Sequence, residues 1–428
     1  MWLSSLAFDL EARYDLETFA LKNGLRVVCL KKKTSPIISF SIWYRCGSMC
    51  DEISKSGVAH YLEHMACEPN KGEFNKFLET VGAERNAFTS LRTICFYEII
   101  PREHLEDVFR YEAQRMASMD IRDDIFLAEK GAILEERRMV YDASPDGEAY
   151  ESTVTNAFNR NIGGISVIGW ESEIDNLSPQ DLLDFYDKWF APNNAIILVI
   201  GDFPSVAYIK ELAEKYFGSI REKTLQYPEE NRVRPPCFKE ITYASPKNGA
   251  GSVEYIYHVP SSYGDNIRKN IGLELLISVL NQPDFFVRKT LEHYLRVVSQ
   301  AAFSYLAKHF QFDVVSFSVG RHSISDNSEE IWDYLRKKLL AVGVKKKDLD
   351  VVKRQHQLSL AYRKDDIAQI SRHIGRLLAT GYKIEDIQSM DDVLQSITPE
   401  ECNEILQEIF SQKPVVIAKS IPKGYDRD

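Results

Sequence analysis

The segment GVAHYLEHMA carries His60, Glu63 and His64, two histidines four residues apart with a glutamate between them, in a chain that has only nine histidines in 428 residues. On a helix turning about 100° per residue these three side chains share one face, and Val58, Leu62 and Met65 occupy the other. Two imidazoles at this spacing can converge on one zinc ion at about 2.0 to 2.1 Å, which leaves Glu63 one turn from His60 and free to reach a water beside the ion. The competing reading is an ordinary helix with surface histidines. Chance would produce such a pattern somewhere in this chain roughly once in a hundred sequences, and the amphipathic phasing lowers that further.

The order H-x-x-E-H is the inverted form of the zincin motif. Two histidines leave a zinc site short of a ligand, so a third must come from elsewhere. The segment AEKGAILEERRM offers Glu129 and Glu136, which are seven residues apart and share a helical face, whereas Glu135 points about 100° away. Glu136 is assigned as the third ligand and Glu129 as its support.

The elements that must hold these residues form a repeat. Residues 177–204, LSPQDLLDFYDKWFAPNNAIILVIGDFP, parallel residues 397–422, ITPEECNEILQEIFSQKPVVIAKSIP. In both, a hydroxyl residue before Pro with acidic residues after it predicts a helix start, and a β-branched apolar run then predicts a strand. Earlier in each half a strand, 38–44 or 253–259, leads to a helix near Gly57 or Gly272. Aligning the two glycines superposes Val58, Leu62 and Met65 on Leu273, Ile277 and Leu280, a stripe that packs one helix face on a sheet. The same alignment puts Leu275, Ser278 and Val279 where the first half has His60, Glu63 and His64, and the stretch Leu349 to Leu360 has no glutamate. The stripe occurs in both copies, the ligands in one.

Strands 25–30 and 37–44 read as antiparallel neighbours, and the alternation of strands and helices predicts an α+β fold of two homologous layered domains, each an antiparallel-rich mixed sheet packed against helices. The expected boundaries are 1–217 for the zinc-bearing domain, 218–236 for a polar, Pro-rich linker, and 237–428 for a domain without metal ligands.

Composition narrows the function classes. The chain has 53 Lys and Arg against 63 Asp and Glu, 44% hydrophobic residues and 27% charged ones, which excludes disordered and collagen-like material. Residues 1–200 carry a net −11 and residues 201–428 a net +1, a field that repels nucleic acid. The longest apolar runs, such as Ala195 to Ile200, fall far short of the roughly 18 residues of a membrane span. The opening MWLSSLAFDLEARYDLE resembles neither a secretory signal nor a transit peptide. Seven cysteines with no CxxC spacing read as free thiols, so a cytoplasmic location is expected. Cys46 and Cys50 could bind metal or sense redox state, but buried thiols are the commoner use of such positions.

The motifs GVAHYLEHM, NAFTS (86–90), EKGAILEERRM and IGWESEIDNLSPQDLLDFYDKWFAPNNAIILVIGD, in this order, resemble the pitrilysin/insulinase family of inverzincin metallopeptidases. The similarity is to its short branch, which contains the mitochondrial processing peptidase and bacterial homologues, and it covers nearly all of the chain. It implies two homologous α+β domains per subunit and a clamshell dimer, of identical or related subunits, around a peptide chamber. It also implies one zinc ion per subunit on His60, His64 and Glu136, with Glu63 as general base. Asn86, Ala87 and Phe88 correspond to the edge strand that pairs with an extended substrate. The family's oxyanion donors, an Arg and a Tyr seven residues later, correspond to Arg296 and Phe303. Phe303 lacks the phenol, a loss of about 2.7 to 4 kcal/mol of transition-state stabilisation unless nearby Tyr305 or another donor replaces it.

The resulting expectation is a zinc endopeptidase for short or unfolded peptides, with basic, presequence-like ones favoured by the acidic first half. The alternatives are a weakly active or inactive peptide-binding subunit that needs a partner, and a structural-zinc protein.

Overall fold

The computed structural model describes residues 14–33, 35–67, 72–143, 147, 151–153, 155–156, 166–227, 238–245, 251–260, 267–292, 298–308, 312–321, 328–363 and 366–422. Its strands in the first half are β1 (Glu17–Ala20), β2 (Arg26–Lys31), β3 (Ile37–Tyr44), β4 (Glu84–Thr89), β5 (Ile94–Pro101) and β6 (Ala195–Gly201). Those in the second half are β7 (Lys239–Ser245), β8 (Gly251–Pro260), β9 (Val298–Lys308), β10 (Phe312–Arg321) and β11 (Val416–Pro422). The helices that matter for the site are α1 (Val58–Ala66), α2 (Asp123–Arg137), α3 (Pro179–Trp189), α4 (Ile267–Leu280), α5 (Lys346–Arg363), α6 (Ile367–Ala379) and α7 (Pro399–Phe410).

The strand orders are β1-β2-β6-β3-β5-β4 and β7-β11-β8-β10-β9. Apart from β1 the two sheets have one topology, because β2 runs parallel to β6 as β7 does to β11, and the remaining pairs are antiparallel. The fold is thus α+β and built twice.

The expectation that strands 25–30 and 37–44 pair directly is corrected. β6 lies between them, bonded in parallel to β2 and antiparallel to β3. All seven residues of β6 are buried, so the most apolar strand of the half takes the centre of the sheet.

The repeated helix starts carry capping boxes. Ser178 accepts from the amide of Asp181 at the start of α3, and Thr398 accepts from the amide of Glu401 at the start of α7, with Pro in the first turn of each. The glycines that align the copies differ in place. Gly57 is the left-handed N-cap residue of α1, with φ 87°, whereas Gly272 lies inside α4 against Ile405.

Val58, Leu62 and Met65 are buried in a core between α1 and the first sheet, and Leu273 and Leu280 in the matching core of the second half. A third core lies on the outer face of the first sheet, where α6, from the second half of the chain, packs Ile367, Ile370, Ile374 and Leu378 against Val28, Trp43 and Leu198. Ser41 and Ser371 share a hydrogen bond of 3.0 Å across this seam, and Gly375 lies flat on the Trp43 indole.

Candidate metal centre

α1 begins where the chain turns through Gly57, a position with no room for a side chain, since a Cβ there would lie 2.2 Å from the Ile168 carbonyl oxygen. The buried Asp51 carboxylate accepts from the Gly57 amide at 2.8 Å and from the Ala59 amide at 3.1 Å, satisfying amides that a helix start leaves open. Tyr61 stacks on Phe126, with ring centroids 4.7 Å apart, and its hydroxyl donates to the Phe126 carbonyl, which ties α1 to α2.

These ties bring the sequence-assigned residues together. His60 Nε2 is 3.7 Å and His64 Nε2 is 3.5 Å from Glu136 Oε2, and one donor atom from each of the three residues lies within 4.8 Å of the others. Two ligands on a tetrahedral ion at 2.0 to 2.1 Å stand about 3.4 Å apart, so the pairwise distances match the edges of a zinc tetrahedron better than they match hydrogen bonds. Two imidazoles and one carboxylate are a donor set that zinc accepts, and three protein donors leave a position open. The residues therefore fit the ion.

Glu129, seven residues before Glu136 on the same helix, places Oε2 3.0 Å from His64 Nδ1. Such a carboxylate fixes the ring so that the other nitrogen can ligate. His60 Nδ1 is buried with no hydrogen-bond partner among the described residues.

Charge is divided unevenly between the histidines. Burial, and then the charge on His64, bring His60 down to about 4 against the pull of Glu136. Burial would lower His64 too, but the carboxylates of Glu136, Glu129 and Glu63 outweigh it and push that group up to about 9. The His64 imidazole 3.5 Å away, and then the charge of His60, hold the Glu136 carboxyl below its usual range.

Glu63 stands apart from the donor set. It is 7% exposed, burial raises its carboxyl above the usual range, and its Oε2 accepts 2.8 Å from the Thr89 hydroxyl, which offsets part of that rise. Thr89 was not assigned a role from the sequence. Its signal was the two-residue alternation of β4, which puts Arg85, Ala87 and Thr89 on one face, and only the folded sheet turns that face toward α1. Arg137 was missed as well. It is buried beside Glu136, bonds Glu151 through both terminal nitrogens at 2.8 Å and the Gly169 carbonyl at 2.6 Å, and so fixes the end of α2 against the loop that packs on Gly57.

Asn86, Ala87 and Phe88 lie on β4, the edge strand of the sheet, as the resemblance implies. The Ala87 amide donates to Asn86 Oδ1 at 2.8 Å, so it faces away from β5, and Phe88 packs edge-on against Trp43. With the metal triad, Glu63 and Thr89 these residues line one cleft of about 590 Å³, together with Cys67, Arg85, Val140, Val167 and Ile168.

The second-half assignments fall elsewhere. Phe303 is 3% exposed, in a core with Phe317, Trp332 and Phe410. The strand residue Tyr305 pairs with Val315, and Arg296 lies outside the described residues. At the places that align with the metal ligands, Leu275 and Val279 are fully buried, and Ser278 Oγ is 3.3 Å from His356 Nε2. Cys46 and Cys50 are buried free thiols, with burial pushing Cys50 up to about 12, so neither is poised for metal or redox chemistry. Among the described residues no helix is long and apolar enough to cross a membrane.

Comparison with known proteins bears on this arrangement. Residues 26–168 match the model of the insulinase family, peptidase family M16, and residues 176–356 match that of the peptidase M16 inactive domain. The zinc protease PqqE of Helicobacter pylori is 33% identical over 230 residues, a stretch that covers 52% of this chain and 50% of that protein. This match thus spans about half the length of the relative. The probable mitochondrial-processing peptidase subunit beta of Schizosaccharomyces pombe is 22% identical over 431 residues, 94% of this chain and 90% of that one. Among solved structures, a protease from Helicobacter pylori superposes with a TM-score of 0.85 at 23% identity, over 96% of this chain and 100% of that one, and so shares its fold.

Proposed function

The chain belongs to the insulinase family, peptidase family M16, and on that basis we propose that it is a zinc-dependent endopeptidase acting on short or unfolded peptides. The observation that carries this reading is one cleft holding three converging donors and a fourth carboxyl, Glu63, that stays outside the donor set.

His60, His64 and Glu136 would hold the zinc, one ion per subunit. When bound, the ion supplies Lewis acidity toward a scissile carbonyl and a water in the cleft. Glu63 is the general base. Its Oε2 is engaged by Thr89, so Oε1 is the oxygen that takes the proton of the attacking water and returns it to the leaving amine. Burial favours this shuttle, because a carboxyl shifted upward gains and loses a proton closer to neutral pH.

An extended peptide would add to the open edge of β4, displacing Asn86 Oδ1 from the Ala87 amide. Main-chain pairing makes little demand on sequence, which suits a peptidase of unfolded segments. The acidic first half would draw basic flanks toward the cleft. Two subunits, identical or related, would face each other as a clamshell and enclose the chamber.

The test is cleavage of unstructured peptides by wild type and Glu63→Gln, with zinc content measured in both. Zinc in both proteins and cleavage by wild type alone is the expected result. A second reading, a binding or assembly subunit with little turnover, is favoured by Phe303, whose ring lies in the second core and offers no donor. Zinc in both proteins with cleavage by neither would select it.

A further inference from the structure

We propose that Arg85 makes the cleft select an acidic side chain, Asp or Glu, at one position of the substrate. The inference rests on the peptidase reading and adds a specificity-determining residue to it.

β4 turns alternate side chains to opposite faces. Phe88 packs against Trp43 on one face. On the other, Thr89 bonds the base, Ala87 packs against the α1 core, and Arg85 donates to the Cys67 carbonyl at the end of α1 at 3.4 Å. Arg85 thus stands on the face where the chemistry would occur. At about 3.4 Å per residue it lies about 7 Å along the strand from Ala87 and about 14 Å from Thr89.

The charges lining the cleft are otherwise committed. Glu129 and Glu136 face the histidines, and Glu63 accepts from Thr89. Arg85 is the one Lys or Arg among the lining residues; its cross-strand neighbour is the buried Glu98, whose carboxyl feels its charge, and its hydrogen bond runs to the Cys67 carbonyl, not to a carboxylate. A guanidinium has five donors in a planar fork that matches a carboxylate, and the single long bond to Cys67 leaves other donors available on this exposed, cleft-lining side chain. A peptide paired with β4 would present every second side chain to this face. The one opposite Arg85 therefore belongs to a residue about two to four places from the bond beneath Glu63.

This local contact and the acidic field of the first half act on different residues. The field works at long range, is screened over about 8 to 10 Å in ordinary salt, and bears on the flanks. Arg85 touches one side chain.

The experiment uses the zinc-loaded full chain and a neutral peptide that it cleaves, with a single Glu or a single Lys moved through the four positions on each side of the cut. One position is expected at which Glu exceeds Lys in kcat/KM by about threefold or more, the range of an ion pair at an exposed site. Arg85→Glu should reverse the order at that position alone, and Arg85→Gln should level it. Comparing two peptides on one enzyme cancels any loss of folded or zinc-loaded protein. Cleavage with no sign-dependent position, or a preference that survives in Arg85→Glu, overturns the inference and leaves the peptidase reading standing. A wild type that binds zinc and cuts no peptide overturns both.

Discussion

The two histidines of the proposed zinc site differ in protonation, and proton competition follows from the difference. His60, near 4, is already neutral at physiological pH, whereas His64, near 9, must give up a proton before it can ligate. Zinc binding at pH 7 should therefore release about one proton, and the apparent association constant should rise about tenfold per pH unit between pH 6 and 8 and level off above 9. Competitive titration against a chelator of known pH dependence checks the slope. Stability of the metal-free protein moves the other way. A His64 raised above its unfolded value contributes stability that is complete below about pH 6.5 and is lost as the pH rises through about 9. The increase in Tm produced by saturating zinc should thus widen across that window. Glu129→Gln removes one of the carboxylates that orient His64 and should weaken zinc binding about 10- to 100-fold, with the far-UV circular dichroism unchanged.

Much of this residue chemistry was legible in the sequence because it is written in helical phase. His60, Glu63 and His64 had to share a face, and so did Glu129 and Glu136. Thr89 and Arg137 were not legible, since each acts on a partner that only tertiary structure brings near. Thr89 reaches Glu63 from a strand 26 residues away, and Arg137 meets Glu151 and the Gly169 carbonyl across a chain reversal.

At the scale of elements, local signals carried the helix starts, since a capping box is set by four consecutive residues. Strand order is not local. The direct pairing expected for strands 25–30 and 37–44 failed because β6, more than 150 residues later, inserts between them. The seam between α6 and the first sheet was equally invisible, and it supports a prediction of unexpected sign. Alanine is a better helix former than glycine by about 1 kcal/mol, yet a Cβ on Gly375 would lie 2.1 to 2.4 Å from the Trp43 indole. Trp43 is fully buried and its indole nitrogen donates to Ser41 Oγ at 3.0 Å, which holds the ring in place. Gly375→Ala should destabilise the chain by about 1 to 3 kcal/mol, seen as a lower urea midpoint. A gain in stability would mean that the indole is not held as described.

Over the whole molecule the repeat is the dominant fact. Apart from β1 the two sheets share one strand order and one parallel pair, and among the described residues the cluster of possible metal donors lies in the first copy. The second fills the equivalent helix positions with Leu275 and Val279, which makes α4 apolar on the face where α1 is chemical. This contrast could be read from the sequence, because substitution of ligands by aliphatic residues along a retained stripe needs no coordinates to be seen.

The third core gives the repeat a further meaning. Because α6 leaves its own half to roof the sheet of the other, heating should melt the protein in one transition, without the two steps expected of separate modules, and calorimetry would show it. The first half without α6 would expose Trp43, Val28 and Leu198 to water. Were the chain split between its halves, the first half would need the second to cover that face of its sheet.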